Sequence, residues 1–291
     1  MTKDEPLRLF EPIWDQFIAT HYPARGPLHE SMRYALSGKG KRVRAQACML
    51  AAQHYGDNPR ASLSGGVAVE MVHTYSLIHD DLPCLDNDDW RRGRPSVHKV
   101  FGDATAVLSG DGILTDAFRV LTDSEFFPDC IFVPPDRQAR QVAILAAAAG
   151  GAGMVLGQAW DIWWTGRDGI TTGALDKIHV AKTGALLGAS FALGAASMGA
   201  SAAHVKGWTA FGQAIGLAFQ AIDDTLDNDG SMGKTPGKDA AQKKLTYLRL
   251  QSKEEILDTA LKITEQAFTD IPVKPLIRLE TFVRDLVFRS C

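Results

Sequence analysis

The feature that most constrains this chain is a pair of aspartate-rich motifs, each of which ends a long apolar stretch. The first lies in Ser76–Arg94 and contains Asp80, Asp81, Asp86, Asp88 and Asp89. The second is Phe219–Asp227, which reads FQAIDDTLD. Crowded carboxylates repel one another, so each cluster requires a nearby cation. Two such clusters in one chain favour two carboxylate walls facing one cavity over two unrelated acidic surface patches.

Local geometry defines which carboxylates can act together. At about 100° per residue, Asp223 and Asp227 share one helix face, with Asp224 at its edge. In the first motif Pro83 is incompatible with a helix interior, so the helix should end or kink there and Asp86 should reach the site from a turn. A donor set made only of oxygens, without nearby Cys or His pairs, suits Mg²⁺.

Composition excludes several classes of protein. The 291 residues carry a net charge of −3, so the chain lacks the basic excess expected of a nucleic-acid-binding protein. The four cysteines lie far apart, which indicates neither a zinc site nor a disulfide framework and favours a reduced, cytoplasmic setting. The first residues lack the apolar core of a signal peptide.

Helical periodicity recurs along the chain, whereas alternating strand patterns are scarce. The predicted helices are Leu7–Thr20, Leu28–Ser37, Arg44–Tyr55, Ala61–Asp80, Ala104–Leu121, Arg137–Trp160, Leu175–Met198, Val205–Asp227, Ala240–Leu245, Lys253–Phe268 and Pro275–Arg289. The sequence therefore predicts an all-α protein, a single domain over residues 1–291 built as one large bundle of ten or more helices.

Two uncharged stretches, Val142–Trp160 and Thr183–Ala203, approach the length of a membrane span. Both are dominated by Ala, Gly and Ser, so they are only weakly hydrophobic. We therefore expect them to form buried helices of a soluble bundle, with no membrane span.

Basic residues lie where metal-bound phosphate would need them. They are Lys41 and Arg44 in the glycine-rich loop Gly38–Arg44, Arg91 and Arg92 after the first motif, Lys182, and Lys234, Lys238 and Lys244 after the second motif. Lys182 lies in an otherwise uncharged region, where a lysine is unfavourable unless it meets an opposite charge. A diphosphate satisfies the metals and the cations together. The predicted ligand therefore has a diphosphate head and an apolar tail.

These motifs resemble those of the trans-isoprenyl diphosphate synthases, most closely the bacterial farnesyl diphosphate synthase type. The matching segments are GKGKRVR (Gly38–Arg44), HTYSLIHDDLPCLDNDDWRRGRP (His73–Pro95), GDATAVLSGD (Gly102–Asp111), GQAWD (Gly157–Asp161), KTGAL (Lys182–Leu186), FQAIDDTLD (Phe219–Asp227) and GKDAAQKKLTY (Gly237–Tyr247). The resemblance covers nearly the whole chain. It implies the isoprenoid synthase fold, with helices around a central cavity, and a homodimer. The implied reaction is head-to-tail condensation of isopentenyl diphosphate with an allylic diphosphate, either dimethylallyl or geranyl.

The resemblance also assigns roles to individual residues. The metal ligands it implies, for three Mg²⁺ ions, are Asp80, Asp81, Asp86, Asp223, Asp224 and Asp227. The cations it implies for the allylic diphosphate are Arg91, Lys182, Lys238 and, more weakly, Lys234. The residues it implies for isopentenyl diphosphate are Lys41, Arg44, His73 and Arg92. Thr183 and Gln220 match positions whose oxygens face the allylic cation, and Lys244 matches a lysine near the lid of the site.

Some of these residues also have purely structural interpretations. His73 could be a core histidine, and Gln220 could serve only to support its helix. Asp161 and Gln158 could form an ordinary buried hydrogen-bonded pair.

Product length should depend on the bulk beneath the first motif. The long form of that motif, with Tyr75 five residues before Asp80, resembles producers of C15 farnesyl diphosphate. On a helical wheel Ser76 faces the cavity more directly, and serine would not stop a growing chain, so C10 and C20 products are alternatives. Other interpretations are a class I terpene cyclase, a metal phosphohydrolase and a regulatory subunit without activity. The DDTLD motif and the basic loop disfavour the cyclase.

Overall fold

The computed structural model describes residues 5–56, 58–127, 133–226 and 246–288. Within these residues helices pack into a bundle, and the only sheet is an antiparallel pair of two-residue strands, β1 (Trp90–Arg91) and β2 (Arg94–Pro95). The predicted all-α fold is confirmed.

The helices are α1 (Glu5–His21), α2 (Pro27–Leu36), α3 (Val43–Ala52), α4 (Leu63–Asp80), α5 (Val97–Phe101), α6 (Asp103–Thr122), α7 (Pro135–Ala149), α8 (Met154–Trp164), α9 (Thr172–His179), α10 (Ala185–Ser197), α11 (Ala202–Leu226), α12 (Lys253–Asp270) and α13 (Ile277–Val287). Short 3₁₀ turns cover Pro59–Ser62 and Tyr247–Arg249. A π-helical turn, Val180–Gly184, joins α9 to α10. The predicted helix Ala240–Leu245 lies outside the described residues.

Helix α10 lies at the centre of the bundle. All of its residues are buried, and it packs against α3, α4, α7 and α11. A helix that is apolar on every face must be enclosed on every side. Close approach to α11 depends on glycines, because a Cβ on Gly212 would lie 2.6 Å from Gly188 Cα and one on Gly216 would lie 2.6 Å from Gly184 Cα.

Helix α4 ends where the sequence predicts, whereas the helix predicted for Arg137–Trp160 is divided into α7 and α8. Helix α4 ends at Asp80, before Pro83, as predicted. The predicted continuous helix Arg137–Trp160 is wrong, because the chain turns between α7 and α8 at Gly150–Gly153. A Cβ on Gly153 would lie 2.1 Å from the carbonyl oxygen of Ala148, so the fold-back requires glycine there.

Two described stretches are long and apolar enough to cross a membrane by length and composition alone. They are residues 135–164, of whose most apolar window 28% is buried, and residues 172–197, of whose window 78% is buried. The second stretch contains α10 and is a core element, as expected from its composition. The expected burial of Val142–Trp160 is wrong, because the first stretch is mostly exposed or half-buried. The absence of a membrane span stays a prediction.

Substitution Gly212→Ala should destabilise the bundle. The added methyl group would meet Gly188 Cα at 2.6 Å and the carbonyl oxygen of Leu187 at 2.8 Å, and overpacking of this kind costs about 1–3 kcal/mol. The matched control is Gly173→Ala in α9, where a Cβ has no heavy atom within 4 Å. Ala replaces Gly in an exposed helix there, so stability should rise by roughly 0.5–1 kcal/mol. Urea unfolding of both variants measures the difference, and equal stabilities would contradict the packing.

Candidate active site

The first carboxylate wall is built where α4 ends. Asp80 is the last helical residue, and the chain then turns back so that the Asp86 N–H donates to the Asp80 carbonyl at 2.8 Å and the Asp88 N–H donates to the Asp81 carbonyl at 3.1 Å. Asn87 takes a left-handed φ of 49° within this turn. Asp86 therefore returns to the end of α4 from an irregular turn, as the position of Pro83 predicted.

Within this wall, Asp81 is engaged by an arginine. Arg91 of β1 donates from Nε to both Asp81 carboxylate oxygens, at 3.0 and 3.2 Å, and its terminal nitrogen pairs with the same carboxylate. Burial alone would lower the pKa of Arg91, but the hydrogen bond and charge of Asp81 outweigh it and raise the pKa. The β1–β2 hairpin thus keeps one cation against the first motif.

Asp80 is held in a different electrostatic environment. Burial raises its pKa to about 6, the positive charge of Lys182 opposes the rise, and the negative charges of Asp86 and Asp81 add to it. The protein's own cations therefore leave the charge of Asp80 only partly compensated. An additional cation at this position would relieve the excess negative charge.

The second wall is the C-terminal end of α11. Asp224 is 4% exposed. Its Oδ1 accepts a hydrogen bond from Gln220 Nε2 at 3.0 Å, and its Oδ2 accepts one from the backbone N–H of Tyr247 at 3.0 Å. Asp223, one residue earlier, is half-buried. Asp227, Lys234, Lys238 and Lys244 lie outside the described residues.

His179 approaches the second wall without forming an ion pair with it. Its Nε2 lies 3.8 Å from Asp224 Oδ2, which is too long for a hydrogen bond. Burial lowers the pKa of His179 to about 4, with Asp161 opposing the shift and Lys182 adding to it, so the ring is neutral near pH 7. The imidazole stacks obliquely on Tyr247, with 5.2 Å between ring centroids.

The π-helical turn connects the two walls. Lys182 Nζ donates to Asp161 Oδ2 of α8 at 2.5 Å. Burial would lower the Lys182 pKa, but the charges of Asp161 and Asp80 raise it, so the lysine stays protonated. The adjacent Thr183 Oγ1 donates to Gln220 Oε1 of α11 at 3.2 Å. The predicted catalytic residues Lys182, Thr183 and Gln220 are thus brought together, with Lys182 paired to Asp161 and Thr183 bonded to Gln220 of α11.

A backbone contact fixes the position of the π-helical turn. A Cβ on Gly157 of α8 would lie 2.2 Å from the backbone nitrogen of Lys182. Only glycine allows this approach, and it lies four residues before Asp161 on the same helix face. Helix α8 therefore contacts Lys182 at both its backbone and its ammonium group. The π-helical geometry itself, which recurs at functional sites, was not predicted.

A second cluster of cations surrounds the start of α3. Burial lowers the Arg44 pKa to about 10, Glu70 opposes the shift and Arg92 adds to it. Burial also lowers the His73 pKa, and the charges of Arg44, Arg92, Arg91 and Arg42 lower it further. These shifts show an excess of positive charge around His73. The structure thus brings together Arg44, His73 and Arg92 of the predicted isopentenyl diphosphate set, whereas Lys41 is exposed beside them.

Two residues that hold this cluster in place, Glu70 and Arg42, were not predicted to do so from the sequence. Glu70 Oε1 accepts the backbone N–H groups of Arg44 and Ala45, at 3.0 and 3.1 Å, and so caps α3 from across the bundle. Glu70 could have been recognised as a structural residue from the sequence, because it is the only acidic residue in residues 61–79. Arg42 is buried, pairs with Glu11 at 3.3 Å and lies over the Trp14 ring. These contacts make Arg42 a structural residue.

The predicted length-determining residues lie on α4 just before the first wall. Tyr75 is 6% exposed and packs edge-on against His79. Ser76 is half-buried, and its hydroxyl donates to the carbonyl of His73 at 3.0 Å. Tyr75 therefore supplies the bulk at this level of α4, and Ser76 turns its only proton back to its own helix.

Comparison with known proteins places this geometry in a family. The family model described as Polyprenyl synthetase matches residues 26–274. The chain is 43% identical to geranylgeranyl pyrophosphate synthase 7, chloroplastic, of Arabidopsis thaliana, over 92% of this chain and 78% of that protein. It is 36% identical to farnesyl diphosphate synthase of Micrococcus luteus, over 96% of this chain and 94% of that protein.

Solved structures show the same likeness. An FPP/GFPP synthase from Zymomonas mobilis superposes with a TM-score of 0.82 at 31% identity over all of both chains. A geranyltransferase from Helicobacter pylori, complexed with magnesium and isoprenyl diphosphate, superposes with a TM-score of 0.81 at 27% identity, over 97% of each chain. Together with the two carboxylate walls and the lysine between them, these matches show that the chain belongs to the polyprenyl synthetase family of prenyltransferases.

Proposed function

We propose that the protein condenses isopentenyl diphosphate with dimethylallyl or geranyl diphosphate, head to tail. The observation that carries the proposal is the placement of Lys182 and Thr183 on adjacent positions of one turn. The charge of Lys182 acts on Asp80 at the end of α4, and Thr183 is hydrogen-bonded through Gln220 to Asp224 at the end of α11. In the reaction the allylic C–O bond breaks, and both electrons leave with the diphosphate. The isopentenyl double bond attacks the resulting cation, and the proton then lost passes to the departed diphosphate.

The residues of the two walls fit Mg²⁺ bound together with a diphosphate. Within the described residues no group of three potential ligands forms a metal site by itself. Mg²⁺ commonly uses one or two carboxylates and completes its shell with phosphate oxygens and water. Asp80, with Asp86 beside it, and Asp223 would hold the metal, because the charge of Asp80 is only partly compensated by the protein. Asp81 pairs with Arg91, and Asp224 accepts hydrogen bonds from Gln220 and Tyr247. When bound, Mg²⁺ neutralises charge that builds on the leaving diphosphate.

The chain's own residues supply the remaining functions. Lys182 and Arg91 provide fixed positive charge for the allylic diphosphate, and Arg44, Arg92 and His73 provide it for isopentenyl diphosphate. Donors and cations fixed before the reaction stabilise developing charge without further reorganisation. Asp227, Lys234, Lys238, Lys41 and Lys244 complete the proposed site by resemblance alone. Cytoplasmic location stays a proposal, supported by Cys48 and Cys84, neither of which is part of a disulfide bond.

We propose C15 farnesyl diphosphate as the main product, with Tyr75 as the residue that limits its length. The buried ring of Tyr75 supports this choice. The names of the plant relatives, geranylgeranyl pyrophosphate synthases, favour a C20 product, and a shorter C10 product is the third possibility. Product sizing distinguishes the three.

The first prediction of the proposed function concerns activity and product length. Purified protein incubated with isopentenyl diphosphate, geranyl diphosphate and Mg²⁺ should yield farnesyl diphosphate, measured by mass spectrometry. Tyr75→Ala should lengthen the product to C20 because the ring no longer blocks the chain, and Tyr75→Phe should keep C15 because it keeps the bulk. A C20 product from the unmodified protein would overturn the C15 assignment. A cyclic hydrocarbon instead of a prenyl diphosphate would support the terpene cyclase.

The second prediction concerns Asp80. Its folded pKa of about 6 lies above the unfolded value of about 3.9. The folded state therefore binds more protons between these values, and the contribution of Asp80 to the unfolding free energy falls as pH rises through this window. Asp80→Asn should stabilise the metal-free protein by about 1–2 kcal/mol at pH 8 and have no effect at pH 4.

Thermal unfolding at both pH values measures this difference. Asp80→Asn should also lose the rise in melting temperature that Mg²⁺ with inorganic diphosphate gives the unmodified protein. Asp89→Asn is the matched control, because Asp89 lies in the same loop with its side chain 51% exposed and should change neither quantity. Equal ligand stabilisation of Asp80→Asn and unmodified protein would remove Asp80 from the metal site.

The third prediction concerns assembly. We propose a homodimer formed through exposed apolar side chains that concentrate on α6 and α8, namely Val107, Leu108, Val155, Trp160, Ile162 and Trp163. Leu108→Glu should convert the dimer to a monomer, because it places a charge in a desolvated contact. The control is Leu261→Glu on α12, which is exposed to a similar degree. Light scattering after size exclusion gives the mass, and a dimer that survives Leu108→Glu would exclude α6 from the interface.

A further inference from the structure

Asp224 has two oxygens that face two different kinds of donor. Oδ1 accepts from the side-chain amide of Gln220, and Oδ2 accepts from the backbone N–H of Tyr247, both at 3.0 Å. The carboxylate is 4% exposed. We propose that Asp224 is a positioning residue that fixes the hydrogen-bond direction of Gln220 and Thr183, so that oxygen lone pairs are available to the allylic cation. The inference rests on the proposed function, because it concerns the cation formed in that reaction.

The direction follows from what each group can donate. A carboxylate only accepts hydrogen bonds, whereas a glutamine amide donates from one end and accepts at the other. Asp224 therefore draws the NH₂ end of Gln220 towards itself, and the Oε1 end must face Thr183. The Thr183 hydroxyl has one proton, and it donates that proton to Gln220 Oε1 at 3.2 Å. The lone pairs of the Thr183 oxygen, which form the negative end of its dipole, then point away from the hydrogen bond to Gln220.

The backbone of Tyr247 prevents Asp224 from relaxing into another arrangement. A backbone N–H can only donate, so Asp224 Oδ2 must stay an acceptor. Tyr247 itself is 4% exposed, and its hydroxyl donates to Asp176 of α9. Tyr247 is thus held through its backbone N–H and through its hydroxyl. Because its position is fixed, it also fixes the orientation of the Asp224 carboxylate.

This arrangement gives an asparagine at position 224 a defined consequence. The backbone N–H of Tyr247 would require the single oxygen of the new amide, which leaves the NH₂ group of that amide facing Gln220. Gln220 would then turn over, with its oxygen towards position 224 and its NH₂ group towards Thr183. The Thr183 oxygen would become an acceptor, and its proton would be free to point at the cation. These three hydrogen bonds are all kept, and two of them, between position 224 and Gln220 and between Gln220 and Thr183, reverse their direction.

The kinetic test is Asp224→Asn alone and combined with Gln220→Glu. We expect Asp224→Asn to lower kcat by about 10²-fold, the effect of misplacing one polar group aimed at developing charge, with KM for both diphosphates changed less than about threefold. In the double variant the carboxylate introduced at position 220 accepts from both the amide introduced at position 224 and the Thr183 hydroxyl. The original direction of the Thr183 bond therefore returns, and kcat should recover at least about tenfold. Asp258→Asn, a remote exposed site on α12, is the control and should match unmodified protein.

Two measurements separate this role from a metal ligand or a structural one. A metal ligand would raise the Mg²⁺ concentration needed for half-maximal activity in Asp224→Asn, and Gln220→Glu would not lower it. A structural role would lower the melting temperature in proportion to the loss of activity, whereas we expect it to stay within about 1.5 °C of the unmodified protein, which corresponds to about 1 kcal/mol for a chain of this size. Either result, or a double variant no faster than Asp224→Asn, overturns the proposal.

An independent observation tests the hydrogen-bond direction without any activity. In nuclear magnetic resonance spectra of substrate-free protein, the side-chain NH₂ protons of Gln220 should lie close to the Tyr247 amide proton. In Asp224→Asn they should lie close to the Thr183 methyl group instead. If unmodified protein makes no prenyl diphosphate, the proposed function fails while this measurement still decides the direction. Identical contacts in both proteins would refute the inference.

Discussion

The site depends on one partly buried cation and the carboxylates around it. Lys182 lies in the π-helical turn that packs against α8, α10 and α11, where an uncompensated ammonium group would be unfavourable. Asp161 pairs with it directly, and the charge of Asp80 acts on it from the first wall. Loss of the lysine would leave buried carboxylates without a counter-charge as well as removing a ligand for diphosphate.

Close packing of helix backbones gives that charge its position. Glycines at the α10–α11 contact and at the α8 contact with the π-helical turn remove the side chains that would hold these elements apart. The uncharged stretches that resemble membrane spans by length are rich in small residues, and these residues let the helix backbones approach closely. Their composition serves the geometry of the charged residues at their ends.

Much of this architecture could be predicted from the sequence, because it follows from local rules. Pro83 placed the end of α4, and the isolated charge of Lys182 in an apolar region pointed to a buried partner. The resemblance of the motifs gave the family, which the comparisons confirmed.

Other features depend on contacts between distant residues and left no local signal. The bond between Tyr247 and Asp224 spans 23 residues, and the π-helical turn arises from packing against Gly157. The break between α7 and α8 did have a signal in its glycines, and the predicted uninterrupted helix ignored it. Product length could not be predicted firmly from the sequence, because Tyr75 and Ser76 give opposite indications about it.

The double contact of α8 with Lys182 has a thermodynamic consequence. A free lysine side chain loses about 2 kcal/mol of rotamer entropy when it is immobilised. In this protein that loss belongs to folding, because Gly157 fixes the main chain at one end of the residue and Asp161 orients the ammonium group at the other. An incoming anion therefore meets a cation already in place, and its binding enthalpy is not offset by the ordering of a mobile chain.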